Sequence, residues 1–187
     1  VLIDGISQGP INSWTFTSVT GNHTISATFN LINYTLHSSS GLHGSITPDG
    51  DVIRGCGSDQ HYSFAPDSCY EISDVIVDGV SQGVQADWTF NSIGSNHSIS
   101  VSYALRSYTI NASGGLHGSI SPAGNSIVNC GDSLTITFVA DTCYQINSVI
   151  VDGINIGAVS SYTFSSVGAD HTISVDFVPI TYTVFAS

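Results

Sequence analysis

The sequence predicts an all-β protein built from tandem small antiparallel β-sandwich-like modules, and three observations carry that prediction. The first is a period of 74 residues without insertion or deletion, shared by Asp4, Asp78 and Asp152, by His23, His97 and His171, and by Tyr34, Tyr108 and Tyr182. Self-similarity at constant period marks an array of equivalent units rather than one centre of chemistry. The second is strict alternation of apolar and small polar residues in short runs, the signature of half-buried strands. The third is the scarcity of helix signals: no long apolar stripe recurs at helical spacing, and Ala, Leu, Glu and Lys are few.

The period divides the chain into residues 1–33, the back portion of a repeat, two complete repeats at 34–107 and 108–181, and residues 182–187, which begin another. With no methionine and an opening at Val1 in mid-repeat, the chain reads as a window of something longer, with any signal peptide and anchors elsewhere.

Each element of the unit follows from turn punctuation. Tyr108-Thr-Ile-Asn-Ala112 is a short strand that ends at the Gly114-Gly115 break, and Gly118-Ser-Ile-Ser121 leads to Pro122-Ala-Gly124. Leu134-Thr-Ile-Thr-Phe138 alternates, Val149-Ile-Val151 meets Asp152-Gly153, and Tyr162-Thr-Phe164 precedes the last strand. That strand, His171-Thr-Ile-Ser-Val-Asp-Phe177, has counterparts beginning at His23 and His97 and places Ile99, Val101 and Tyr103 on one buried face. Six or seven strands per unit at this spacing predict a small sandwich or barrel-like module. The Asp-Gly pairs at 4–5, 78–79 and 152–153 predict type I′ turns, because both residues tolerate positive φ. A calcium loop would need several clustered oxygens, and Val77 to Gly83 offers one carboxylate. Val75 and Val77 share a face by parity, so Ile76 takes the other, as do Leu2 and Ile150 in their repeats. Both faces of that strand are therefore expected to be covered.

Composition narrows the function classes. Charged residues make up only 9% of the chain, against about a quarter in an ordinary globular protein. The 14 acids and two bases, Arg54 and Arg106, give a net charge of −12. Cations that neutralise phosphates or anionic headgroups are nearly missing, which argues against nucleic acid and membrane surfaces as partners. No run of 18 apolar residues is present to span a bilayer, so membrane insertion of this segment is not expected.

The four cysteines obey the period: Cys56 matches Cys130 and Cys69 matches Cys143. Paired within each unit, as Cys56 with Cys69 and Cys130 with Cys143, they would close short loops worth about 3 kcal/mol each. That pairing is the expectation, and it implies an oxidising, extracellular or cell-surface setting. A zinc site is the alternative weighed. It lacks a Cys-x2-4-Cys knuckle, and His61, between the first pair, is replaced by Thr135 in the next unit. No metal site, cofactor or catalytic residue is predicted.

His23, His97 and His171 start strands with no recurring carboxylate and nucleophile beside them, and read as capping residues at the core edge. His43 and His117, between glycines, read as exposed turn residues. Trp14, Trp88 and Tyr162 stand two residues before Phe16, Phe90 and Phe164 and read as core, with a sugar-binding platform as the alternative. Four sequons, at Asn22, Asn33, Asn96 and Asn111, are candidates for glycosylation in a secreted chain.

Three motifs recur in order in both complete units: Tyr-Thr-Ile-x-Ala-Ser-x-Gly-x-x-Gly-Ser-Ile-Ser-Pro-x-Gly at 108–124, Cys-Tyr-Gln-Ile-x-x-Val-Ile-Val-Asp-Gly at 143–153, and Tyr-Thr-Phe-x-x-Val-x-x-x-His-Thr-Ile-x-Val-x-Phe at 162–177. In these the chain resembles bacterial and archaeal tandem surface repeats related to the divergent internalin B-type repeat. The resemblance implies surface arrays that serve as stalks, adhesins or extracellular fibres, with no catalytic residues to carry over. The expected function is thus a structural component of an extracellular filament or stalk, and the alternative is an adhesive or carbohydrate-binding module with glycans as partners. The expected principal partner is the protein itself, as neighbouring repeats or a head-to-tail homopolymer. Residues 1–33 leave a face uncovered, and Tyr182, Val184 and Ala186 alternate on a tail strand suited to donation into it.

Overall fold

The computed structural model describes residues 1–185, and among them the chain is all strand and loop, with no helix. The back portion holds three two-residue strands, β1 (Leu2–Ile3), β2 (Ile6–Ser7) and β3 (Ile25–Ser26). The first complete unit contains β4 (Asn33–Ser40), β5 (Gly44–Thr47), β6 (Gly50–Gly55), β7 (Gln60–Pro66), β8 (Tyr70–Val77), β9 (Val80–Ser81), β10 (Asp87–Phe90) and β11 (His97–Leu105). The second repeats them as β12 (Ser107–Gly114), β13 (Gly118–Ser121), β14 (Gly124–Asn129), β15 (Leu134–Ala140), β16 (Tyr144–Val151), β17 (Ile154–Gly157), β18 (Ser161–Phe164) and β19 (His171–Pro179).

Each complete unit is a sandwich of a five-stranded and a three-stranded sheet, ordered β6-β4-β11-β8-β9 and β10-β7-β5 in the first. The alternation puts Leu36, Val75, Val77, Ile99 and Val101 on the inner face of the larger sheet. Ile46, Tyr62 and Phe90 oppose them, and Ile93 closes the core from a loop. The second unit builds the same core around Ile110, Val149, Ile173, Ile136 and Phe164. The units have more strands than expected because two edge elements carry no clean alternation. The Gly50–Gly55 strand and its counterpart Gly124–Asn129 pair on one side only and leave Ile53 and Ile127 exposed.

Two further expectations are corrected. Not every pairing is antiparallel: β4 runs parallel to β11, with His97 opposite Leu36 and Val101 opposite Ser40, and β12 runs parallel to β19. A parallel pair needs a long crossover, and the rest of the unit is that crossover. Nor is the outer face of the Val-Ile-Val strand covered. Ile76 and Ile150 are each 38% exposed.

The Asp-Gly turns form as expected, with positive φ at both positions: 50° and 79° at Asp78 and Gly79, 48° and 81° at Asp152 and Gly153. The back portion keeps this turn but not a core. Ile25 and Phe29 are 57% and 93% exposed, whereas their second-unit counterparts Ile173 and Phe177 are 1% and 6% exposed.

Candidate functional site

The feature with the clearest architectural consequence is the junction between units. Because the first and last strands of a unit are adjacent and parallel, the chain leaves at the end opposite to where it came in. β11 ends at Leu105 and β12 begins at Ser107, so one residue, Arg106, separates the modules. Arg106 is held on both sides: its N–H donates to the Cys69 carbonyl at 2.9 Å, and its carbonyl accepts the Cys130 N–H at 2.9 Å. The side chains of those two cysteines form a disulfide, Cα to Cα 5.4 Å, which ties one unit to the next. The exposed Arg106–Glu71 ion pair at 3.6 Å adds little, and the arginine does not recur: Ile32 and Ile180 stand at the equivalent positions.

The expected pairing within units is therefore overturned. Cys56 and Cys143 are both free and exposed, while Cys69 and Cys130 are joined across a separation of 61 residues. Strand length explains the correction. Between Cys56 and Cys69 lies the seven-residue β7, which at about 3.3 Å per residue spans roughly 20 Å. A disulfide tolerates at most about 7 Å between Cα atoms. Cys56 sits at the entrance of its unit, its N–H bonded to the Ile32 carbonyl, and Cys69 sits at the exit.

The strand-initial histidines do have a recurring carboxylate, which the sequence reading missed. Nδ1 of His97 donates to Asp78 at 2.7 Å, and the other oxygen of that carboxylate accepts the Ser98 N–H at 2.7 Å. His171 repeats the contact with Asp152 at 2.7 Å and His23 with Asp4 at 2.8 Å. Each imidazole also lies against an aromatic ring: Phe90 at 4.6 Å for His97, Phe16 at 4.7 Å for His23, and Phe164 at 4.8 Å for His171. The signal in the sequence is the constant 19-residue offset of each histidine from the Asp of an Asp-Gly turn. Ser95 Oγ stands 3.3 Å from His97 Nε2, which completes a Ser-His-Asp line. Gly21 and Ala169 occupy that place in the other repeats, where the Asp–His pair persists without a hydroxyl. The pair is a clamp that fixes the last strand to the turn.

The clamp has a pH consequence. At Asp78 and Asp152 burial opposes ionisation, but the backbone N–H and the imidazole outweigh it and hold both carboxyls below their ordinary value; at Asp4 the His23 hydrogen bond leads. A depressed carboxylate contributes stability that is present above the unfolded pKa of about 4 and is lost as pH falls through the folded value. The urea midpoint of the parent should exceed that of the Asp78→Asn/Asp152→Asn variant by a constant margin above about pH 4, and the margin should shrink below it. A margin that instead widens on acidification would show that the carboxylates are not held ionised.

The remaining candidates are dispersed. His43 and His117 occupy exposed turns at φ 71° and 70°, and lie flat on Tyr70 and Tyr144 at 4.1 and 4.0 Å. Trp88 and Tyr162 are half-buried with their rings edge-on to Phe90 and Phe164, and Trp14 is exposed. All four sequon asparagines are exposed. Asn96 caps the start of a parallel strand by accepting the Thr35 N–H at 2.9 Å, the task Asp170 performs for Thr109. Asn111 donates to Asn125. Tyr182 and Val184 are 82% and 91% exposed and join no sheet, and Ala186 lies outside the described residues. Among the described residues no three His, Cys, Asp or Glu side chains come together as a metal site, and no helix is long and apolar enough to cross a membrane.

Comparison with protein-family models, with curated proteins and with solved structures finds no match for this chain.

Proposed function

We propose that the chain is a structural component of an extracellular filament or cell-surface stalk, in which β-modules follow one another end to end. The observation that carries this reading is the junction. Parallel first and last strands, a one-residue link clamped on both sides and a disulfide across it make each module the continuation of the last. A binding protein needs a shaped pocket, whereas a rod needs only this repeatable connection. The low charge, the Ser, Thr and Asn surface and the disulfide suit an oxidising exterior. A carbohydrate platform has less support, because Trp88 and Tyr162 turn inward against their phenylalanines.

The serial connection continues either covalently, into further modules of the same array, or by donation of the tail strand of one copy into the incomplete head of the next. The back portion exposes Val19, Ile25 and Phe29, the positions that a complete unit buries as Val167, Ile173 and Phe177. An open groove of about 510 Å3 runs along that face, lined by Val1, Pro10, Trp14, Ile25, Ala27 and Phe29. In the complete units the strand that follows the junction, β4 or β12, pairs parallel with the corresponding strand. Tyr182 to Ser187 are its sequence counterpart. Electron microscopy of the native material should show long unbranched filaments, and deletion of residues 182–187 should block polymerisation. A full-length chain that stays monomeric, with residues 1–33 protected from hydrogen exchange, overturns donation.

A further inference from the structure

Cys56 and Cys143 are more than leftover thiols. Cys143 stands one period after Cys69 and Cys56 one period before Cys130, so each occupies a place that forms a disulfide at the central junction. Half of the backbone clamp is already built around each. The Ile180 N–H donates to the Cys143 carbonyl at 2.8 Å, as Arg106 donates to Cys69. The Ile32 carbonyl accepts the Cys56 N–H at 2.8 Å, as Arg106 accepts from Cys130. Both cysteines are exposed. The chain contains no lysine, since its two bases are Arg54 and Arg106, so amide cross-links through a lysine amine are closed to it.

We infer that Cys143 with Ile180, and Cys56 with Ile32, are open halves of the same junction, each of which receives a further module of this 74-residue type through a disulfide equivalent to Cys69–Cys130. The occupant is argued from the central junction, where a module of this type already fills the site. The inference rests on the serial-module reading in its covalent form, where modules follow one another in one array, and adds that every such junction is sealed; a module completed by strand donation from residues 182–187 into residues 1–33 holds no cysteine and excludes the seal. The chemistry is thiol–disulfide exchange with a small disulfide of the oxidised-glutathione class. The Cys143 thiolate attacks one sulfur and expels one thiolate. The cysteine of the incoming module, at the position equivalent to Cys56, then attacks the Cys143 sulfur and expels the second. One disulfide is formed between modules, and the small disulfide is reduced to two thiols.

Only one arrangement preserves the central geometry. A second copy presenting its Cys56 to Cys143 must release its own residues 1–33, which hold the place where the back half of the preceding module would sit. A module supplied by the same continuous array has no such conflict.

The test is disulfide mapping of the native protein, isolated without reductant and alkylated before digestion, with electron microscopy of the same sample. Cys143 should take no label and should appear linked to a cysteine at the Cys56-type position, and Cys56 to one at the Cys69-type position. Links to peptides outside these 187 residues that carry a cysteine at those positions support the inference; a Cys143–Cys56 link between two copies, which requires residues 1–33 to leave their place, overturns it. Full alkylation of Cys143 and Cys56, or links of either to Cys69, Cys130 or a small thiol, overturns it. Free thiols within visible filaments would sink the sealed junction alone, whereas free thiols with no filaments would sink the serial-module reading as well.

Discussion

Replacing Cys69 and Cys130 together with serine is expected to remove about 4 kcal/mol of stability and to lower the melting temperature by on the order of 10 °C. The size follows from the loop. The bond joins residues 61 apart, and in the chain-entropy model a loop of that length costs the unfolded chain about 4 kcal/mol more than an open one, against about 3 for the 13-residue spacing within a unit. The loop holds the back half of one module and the front half of the next, so the bond links their unfolding. The oxidised chain should melt in one transition, and the double variant in two. Cys56→Ser/Cys143→Ser, which touches no bond among the described residues, should leave the melt unchanged. A larger loss from that second pair than from the first would restore pairing within units and dismiss the sealed junction.

What was legible in the sequence was local, and what was missed was non-local. The alternation from His97 to Tyr103 announces a half-buried strand because its inner face meets the core and its outer face meets water, and Ile99 and Val101 are each only 2% exposed. Asp78-Gly79 announces its turn because few residue pairs tolerate two positive φ angles in succession. The parallel pairing of β4 with β11 brings together residues some 60 apart, and no local pattern encodes it. The same holds for Asp78, in the turn after β8, and His97, at the start of β11, which meet 19 residues apart. The cysteine pairing is set by a different feature: the 13-residue spacing suits a short loop, but the strand inside it holds its two ends apart. A seven-residue strand between Cys56 and Cys69 already forbids their bond, whereas Cys69 and Cys130 meet across the junction with Cα atoms 5.4 Å apart. Edge strands such as Gly50–Gly55 escaped because one-sided pairing imposes little on their residues.

Gly118→Ala should cost about 2–3 kcal/mol although the glycine is not needed for its own backbone conformation. A β-carbon at Gly118 would fall into the ring of Phe177, and one at Gly44 into the ring of Tyr103, whose hydroxyl donates to the Ser45 carbonyl at 2.6 Å. Each aromatic thus lies directly on the backbone at the start of β13 or β5 and closes the end of the sandwich over it. That contact joins the smaller sheet to the last strand of the larger one, so the ring cannot retreat without opening the core between them. Gly124→Ala provides the comparison. Its φ is +78° with nothing within 4 Å of the added carbon, so its cost comes from backbone strain alone, about 1 kcal/mol. A double-mutant cycle with Phe177→Ala separates the two effects. If the ring is what the new methyl meets, Gly118→Ala becomes nearly neutral once Phe177 is truncated, while Gly124→Ala costs the same in either background. An additive Gly118–Phe177 cycle in urea denaturation would mean that the glycine is required for some reason other than the ring packed on it.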